Sequence, residues 1–233
     1  MTTEANLIAY TQLNPELLDN WAEEPGLLDL VAYFARVSNP KNEYNQRTAE
    51  RLVDFLTREA HWSPLEMVNV VIEIKTTRDI AHQIVRHRSF AFQEYSQRYS
   101  DPTKDLDFVQ REARLQDTKD RQNSIEIDPD ESDENLSKHY AWRTQQWQVR
   151  NAAEHAYRWA IDNGIAKEQA RAVLPEGMMG SRLHMNGSLR SWVHYIALRS
   201  GNGTQKEHKE VAKVCAEQIG KVFSKITDYV CEE

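Results

Sequence analysis

The sequence predicts one α+β domain, mostly helical, with a small antiparallel or mixed sheet. Three observations carry that prediction. Apolar residues recur at helical spacing in several blocks, such as Ala49, Leu52, Val53, Leu56 and Ala60. One segment, Met67 to Lys75, alternates Val68, Val70, Ile72 and Ile74 at strand spacing. The 233 residues, 40% hydrophobic and 28% charged, can bury one core, and no repeat or linker divides them, so residues 1–233 read as a single domain.

In chain order, Ala5 to Tyr10 reads as a strand, and Asn14 to Val37 as one or two short helices broken near Pro25-Gly26. Thr48 to Ala60 is an amphipathic helix stopped by His61-Trp62-Ser63-Pro64. After the Met67 to Lys75 strand, Thr77 or Arg78 opens a helix that turns Ile80, Ala81, Ile84 and Val85 inward and ends near Arg88. Leu136 to Asp162 is a long helix closed by Asn163-Gly164, and Ala166 to Leu174 a shorter one ended by Pro175. Gly177 to Gly187 reads as extended. Ser188 to Arg199 is helical, with Leu189, Trp192, Val193 and Ile196 on one face. The final helix is built on Val211, Val214, Cys215, Ile219, Val222 and Phe223.

Composition excludes several classes. No run of 18 apolar residues is present, so no membrane span is expected. The opening residues show no basic segment followed by an apolar stretch, which argues against a secretory signal. Two cysteines, Cys215 and Cys231, fit a reducing cytoplasm better than a disulfide framework. Cys215, on an apolar helix face, reads as a buried structural thiol. The net charge of -7 is concentrated between Asp101 and Asn135, where 12 acidic residues face 5 basic ones. Residues 126–135 read as an acidic, solvated surface loop; the glycine and closing glutamate of a calcium loop are missing. There is no Walker A loop, CxxC pair, HExxH or GxSxG, and no metal site is expected. Gly201-Asn202-Gly203 follows no strand, which argues against a dinucleotide fold.

Arginine usage points to chemistry. Between Lys75 and Lys104 the basic residues other than histidine are Arg78, Arg86, Arg88 and Arg98; between Lys167 and Lys206 they are Arg171, Arg182, Arg190 and Arg199. A guanidinium is a planar fork that matches phosphate or carboxylate in two-point contact, whereas lysine is a hydrated point charge. Surface ion pairing is the plain alternative. Arg86-His87-Arg88 at a helix end also complements the helix dipole, but Gln83 falls three and four residues earlier, so the three can share one face. The following Gln93 to Tyr99 is polar and aromatic without a core period, as an exposed or site-lining segment is.

Arg86-His87-Arg88, seven residues, then Ser96 resembles the RHR-x7-S signature of flavin-dependent thymidylate synthases. The resemblance extends through Glu94, Arg98 and Tyr99. Upstream, His61-Trp62-Ser63-Pro64-Leu65-Glu66 is similar to the family's His-x-Ser/Thr-x-x-Glu segment. Downstream, Arg171 to Pro175 and Leu189 to Arg199 are similar to its second motif region. The resemblance implies synthesis of dTMP from dUMP, with methylenetetrahydrofolate as carbon donor and FAD reduced by NADPH. It also implies a homotetramer with active sites between subunits.

By position, the resemblance implies that Gln83, Arg86, Glu94, Ser96, Arg98, Arg171 and Arg199 hold dUMP. It implies that Ser63, Glu66, Arg86, His87, Arg88, Gln93, Glu94, Arg190, His194 and Leu198 contact FAD. His61 is implied beside flavin and folate, and Arg199, Ser96 and His61 at the reacting centre. Gln93, Met67, His194 and Gly203 depart from the residues common in the family. The residues agree with that chemistry: methylating C5 of uracil by the thiolate route needs a cysteine, and none lies near these arginines. Ser96 reads as a nucleotide ligand, since no histidine-carboxylate pair is placed by sequence to activate it. Phe90, Phe92, Tyr95 and Tyr99 among arginines could stack bases, but the acidic net charge argues against a nucleic-acid partner.

Overall fold

The computed structural model describes residues 3–231. In chain order they form β1 (Glu4–Tyr10), α1 (Leu27–Ala35), α2 (Ala49–Arg58), β2 (Asn69–Thr77), α3 (Arg78–Ile84), β3 (Ala91–Glu94) and α4 (Pro102–Asp105). There follow β4 (Arg114–Gln116), β5 (Ser124–Glu126), α5 (Asp133–Asp162), α6 (Lys167–Ala170), β6 (Gly180–Ser188), α7 (Leu189–Ser200) and α8 (Lys206–Gly220). Among the described residues β1, β2, β6 and β3 make a four-stranded sheet in that order, and β4 with β5 a small hairpin. Every pairing is antiparallel.

Alternation decides which side of the sheet is buried. Along β2, Val70, Ile72, Ile74 and Thr76 are buried, while Val71, Glu73 and Lys75 are partly exposed. The register sets Ile72 against Met185 and Ile74 against Leu183 on β6, so both strands present the same apolar face. Helices α1, α2, α7 and α8 supply the buried residues packed with it, among them Leu30, Val53, Trp192, Ile196, Val211 and Ile219. Trp192 is fully buried and donates its indole N–H to the Val70 carbonyl at 3.1 Å, which ties α7 to the sheet without an unpaired donor.

Two backbone features aim the motifs. Gly187 on β6 lies under the Phe90 ring, where a Cβ would come within 2.4 Å of Cδ1. Only glycine leaves room for Phe90, which follows directly on the arginine turn. Gly164 at φ 75° closes α5, as the Asn163-Gly164 pair predicts.

The structure corrects several expectations. The helix opened at Arg78 ends at Ile84, so Arg86, His87 and Arg88 lie in the turn beyond it and do not extend a helical face with Gln83. The 63–67 segment is a short 3-10 helix, and the strand expected from Met67 starts at Asn69 and runs to Thr77. Residues 91–94 form an edge strand that their unpatterned sequence conceals. The acidic stretch is not a plain loop. Glu126 closes β5, and Asp133 and Glu134 occupy the first turn of α5, where carboxylates complement the helix dipole. The helix expected to Leu174 gives way at Arg171 to a 3-10 turn, and the last helix ends at Gly220, leaving Val222 and Phe223 beyond it.

Candidate active site

α7 carries the densest group of motif residues. Arg190, His194 and Leu198 recur at four-residue spacing and form an exposed line along it. The 3-10 helix at 63–67 packs beside the start of that line. Glu66 accepts from the Ser188 hydroxyl at 2.9 Å and from Arg190 at 2.6 Å. The Ser188 hydroxyl first, then Arg190, holds the Glu66 carboxyl below the usual range. The Trp62 ring lies edge-on to His194 at 4.8 Å. Ser63 and His61 are exposed nearby in sequence, with His61 against Phe55 at 6.0 Å.

The other end of α7 meets the arginine turn. Arg199 donates from Nε to His87 Nε2 at 2.9 Å. A guanidinium can only donate, so Nε2 accepts and the His87 proton resides on Nδ1. Burial first, then the Arg199 charge, lowers the His87 pKa to about 4, which keeps the ring neutral. His87 rests edge-on to Tyr195 at 5.0 Å. Arg86 and Arg88 flank it, exposed, with no ion pair among the described residues.

A third group lies along and beyond β3. Glu94 accepts from Ser181 at 2.8 Å and sits 3.6 Å from Arg78. Gln93 is exposed beside it. Ser96 accepts from the Arg98 backbone N–H at 3.3 Å, and Arg98 pairs with Glu168 at 3.2 Å, near Arg171 in sequence. Among the described residues no hydrogen bond or ion pair joins Ser96, Arg98 or Arg171 to Arg199. The candidate residues thus fall into two groups, candidate half-sites: one on α7 with the arginine turn, the other running from β3 to α6.

Some residues escaped the sequence reading. Gln83 donates to Gln205 at 2.9 Å and faces His208 Nδ1 at 3.2 Å, while Tyr195 meets His208 Nε2 at 3.1 Å. The available signal was periodic: His208 falls on the same face of α8 as Val211, Cys215 and Ile219. A cavity of about 1070 Å³ between the β4–β5 hairpin, α5 and the start of α8 also went unforeseen. Arg111, Arg114, Arg121, Lys206 and Lys209 line it, none of them in a motif; Gln205, also in its lining, accepts from Gln83.

Residues 16–224 match the family described as thymidylate synthase complementing protein. The chain belongs to that family. Two relatives of the thymidylate synthase complementing protein family stand out by coverage. A probable flavin-dependent thymidylate synthase of Paramecium bursaria Chlorella virus 1 is 43% identical over 222 residues, 95% of this chain and 96% of its own. A flavin-dependent thymidylate synthase of Synechocystis is 47% identical over 195 residues, 83% and 85% of the two chains. The fold is also that of the UMP/dUMP methylase PolB of Streptomyces cacaoi, crystallised with 5-Br UMP. TM-score is 0.72 at 20% identity, with 97% of this chain and 92% of that one covered.

Proposed function

We propose that the protein converts dUMP to dTMP by flavin-dependent reductive methylation, with no cysteine nucleophile. The observation that carries this reading is the Arg199–His87 hydrogen bond, which joins motifs 112 residues apart into one cationic corner. The relatives' names agree with it, since chains 43% and 47% identical are named a probable flavin-dependent thymidylate synthase and a flavin-dependent thymidylate synthase. The thiols agree as well. Cys215 is wholly buried, and burial pushes its thiol up, away from a thiolate; the Cys231 thiol donates to the Ala197 carbonyl at 3.3 Å.

The residues fit FAD. Arg86 and Arg88 offer guanidinium groups without an ion pair among the described residues, suited to a pyrophosphate, and Leu198 on α7, next in sequence to Arg199, is 59% exposed as an apolar surface for a flat ring. Ser63, Glu66, His87, Gln93, Glu94, Arg190 and His194 complete the proposed flavin set. Reduced flavin held by these residues would supply the hydride. Arg199, held by His87, aims its remaining N–H groups at a pyrimidine carbonyl and stabilises charge developing on it. Gln83, Arg86, Glu94, Arg98 and Arg171 position dUMP, and Ser96 serves as a ligand to it. Among the described residues no histidine hydrogen-bonds the Ser96 hydroxyl, so nothing is placed to make it a nucleophile. His61 sits beside flavin and methylenetetrahydrofolate, NADPH is the reductant, and the setting is cytoplasmic.

The two half-sites close in a homotetramer of 27.1 kDa chains, where one subunit's β3-to-α6 group faces another's α7. Among the described residues no helix is long and apolar enough to cross a membrane. The deciding experiment is a dTMP assay with dUMP, methylenetetrahydrofolate and NADPH, each omitted in turn. Product should require all three, and the double change Cys215→Ser, Cys231→Ser should keep the reaction while costing stability. Product from oxidised enzyme without reductant would end the hydride reading.

A further inference from the structure

A chain of hydrogen bonds with a single possible direction runs behind the arginine corner. It starts at the Glu207 carboxylate, which can only accept. Burial pushes this carboxyl up, but a backbone N–H, Arg111, Gln205 and Arg114 together hold it below the usual range. Arg111 lies 3.3 Å from it, and Arg114 also pairs with it. Gln205 donates its Nε2 to Glu207 at 2.9 Å, so its Oε1 must face the other way. There it accepts from Gln83 Nε2 at 2.9 Å, which fixes the Gln83 amide in turn. Gln83 Oε1 then faces His208 Nδ1 at 3.2 Å, and since a carbonyl oxygen can only accept, that nitrogen carries the proton. Nε2 of the same ring is left as an acceptor, and the Tyr195 hydroxyl fills it at 3.1 Å. Reversing any one amide or tautomer sets two acceptors or two donors against each other, at part-buried bonds along the amides and a buried one at Tyr195.

His208 has no exposed surface, and both its nitrogens are used. Gln83 is only partly buried, and among the described residues the second N–H of its amide has no hydrogen-bond acceptor. We propose that His208 and Tyr195 are positioning residues of the nucleotide site, locking Gln83 so that it offers an N–H, and not its carbonyl, to an acceptor oxygen of dUMP. This rests on the reading of Gln83 as a dUMP ligand. The lock gives the site a polarity: a uracil carbonyl or a phosphate oxygen satisfies Gln83, and an amino group in the same place does not.

The test uses the FAD-loaded enzyme and calorimetric titration with dUMP, beside flavin absorbance and thermal melting. His208→Leu should weaken dUMP binding about tenfold with flavin binding retained, and Tyr195→Phe should weaken it less. His208→Gln, which restores a donor to Gln83 Oε1, should recover affinity to within about threefold of the parent. A scaffold role would lower dUMP and flavin binding together and would not be rescued by glutamine; that result overturns the proposal. So does a folded His208→Leu enzyme with parental dUMP affinity. Gln83→Ala separates the two layers. If it leaves dUMP affinity unchanged, the site reading fails; if it weakens binding while His208→Leu does not, the lock alone fails.

Discussion

Helices α7 and α5 belong to one chain and live in opposite environments. Seven of the 12 residues of α7 are buried, including Trp192, Tyr195 and Ile196. Of the 30 residues of α5 only Gln146, Ala153, Tyr157 and Ala160 are. Tyr140 and Trp147 stand two turns apart on one face of α5, Trp142 and Val149 on the opposite one, and all four are exposed. α7 draws its stability from the sheet of its own subunit. α5 holds large apolar side chains on two flanks that the described residues leave exposed. The proposed site residues Arg190, His194, Leu198 and Arg199 stand on the buried-backed helix, where side chains can be held in one place.

The contrast can be broken by mutation. Trp192→Ala leaves a cavity against the sheet and should lower unfolding free energy by about 3–5 kcal/mol, whereas Trp147→Ala should cost under about 1 kcal/mol and act on assembly. Urea titration with light scattering on both variants checks this; equal losses would erase the difference between the helices. Arg199→Lys keeps the charge of the α7 corner but loses the fork that holds His87. It should weaken dUMP binding by about one to two orders of magnitude, from the ~1.5–3 kcal/mol of a charge-assisted contact, with flavin absorbance preserved.

Acid should also attack the α7 side first. His87 and His208 have pKa values lowered to about 4 and about 3, chiefly by burial, from an unfolded value of 6.5. Unfolding therefore takes up protons below pH 6.5, and stability falls as pH drops until the folded pKa values are reached, with a slope approaching about 1.4 kcal/mol per pH unit for the buried His208 and a smaller one for the partly exposed His87. Melting curves between pH 7 and 4 measure that slope, and His208→Leu should flatten it. The smallest effect belongs to the α5 side. Replacing residues 127–132 with glycine and serine, leaving Glu126 and Asp133 in place, should change turnover by less than about twofold. A larger loss with folding intact would make that segment part of the site.

The sheet and α7 were legible because their periods are plain: alternate burial in β2 and a tryptophan-led apolar face in α7. The turn at Arg86 was not, because no glycine or proline announces it. The helix stops at Ile84 because Phe90 must drop onto Gly187, a contact 97 residues away that no local pattern encodes. β3 was hidden for a similar reason. It is four residues long, and its Ala-Phe-Gln-Glu sequence does not alternate apolar with polar residues as β2 does. The motif residues were readable as a set. Their division into two half-sites was not, since sequence order carries no information on which groups one subunit can close. His208 stayed unseen because a lone histidine on an apolar face looks like core until its partners are known.

The strand order has a consequence for how the chain is made. β6 sits between β2 and β3, yet it is synthesised after both, more than 100 residues later than β2. While the ribosome is still adding α5, β2 has β1 on one side and an open edge on the other, with Val70, Ile72 and Ile74 awaiting their cover. The sheet cannot zip until residue 188 has cleared the exit tunnel, and the arginine turn cannot meet Arg199 until later still. The nascent protein thus elongates by more than 100 residues with one edge of an apolar strand unpaired, the condition in which holding chaperones have most to protect.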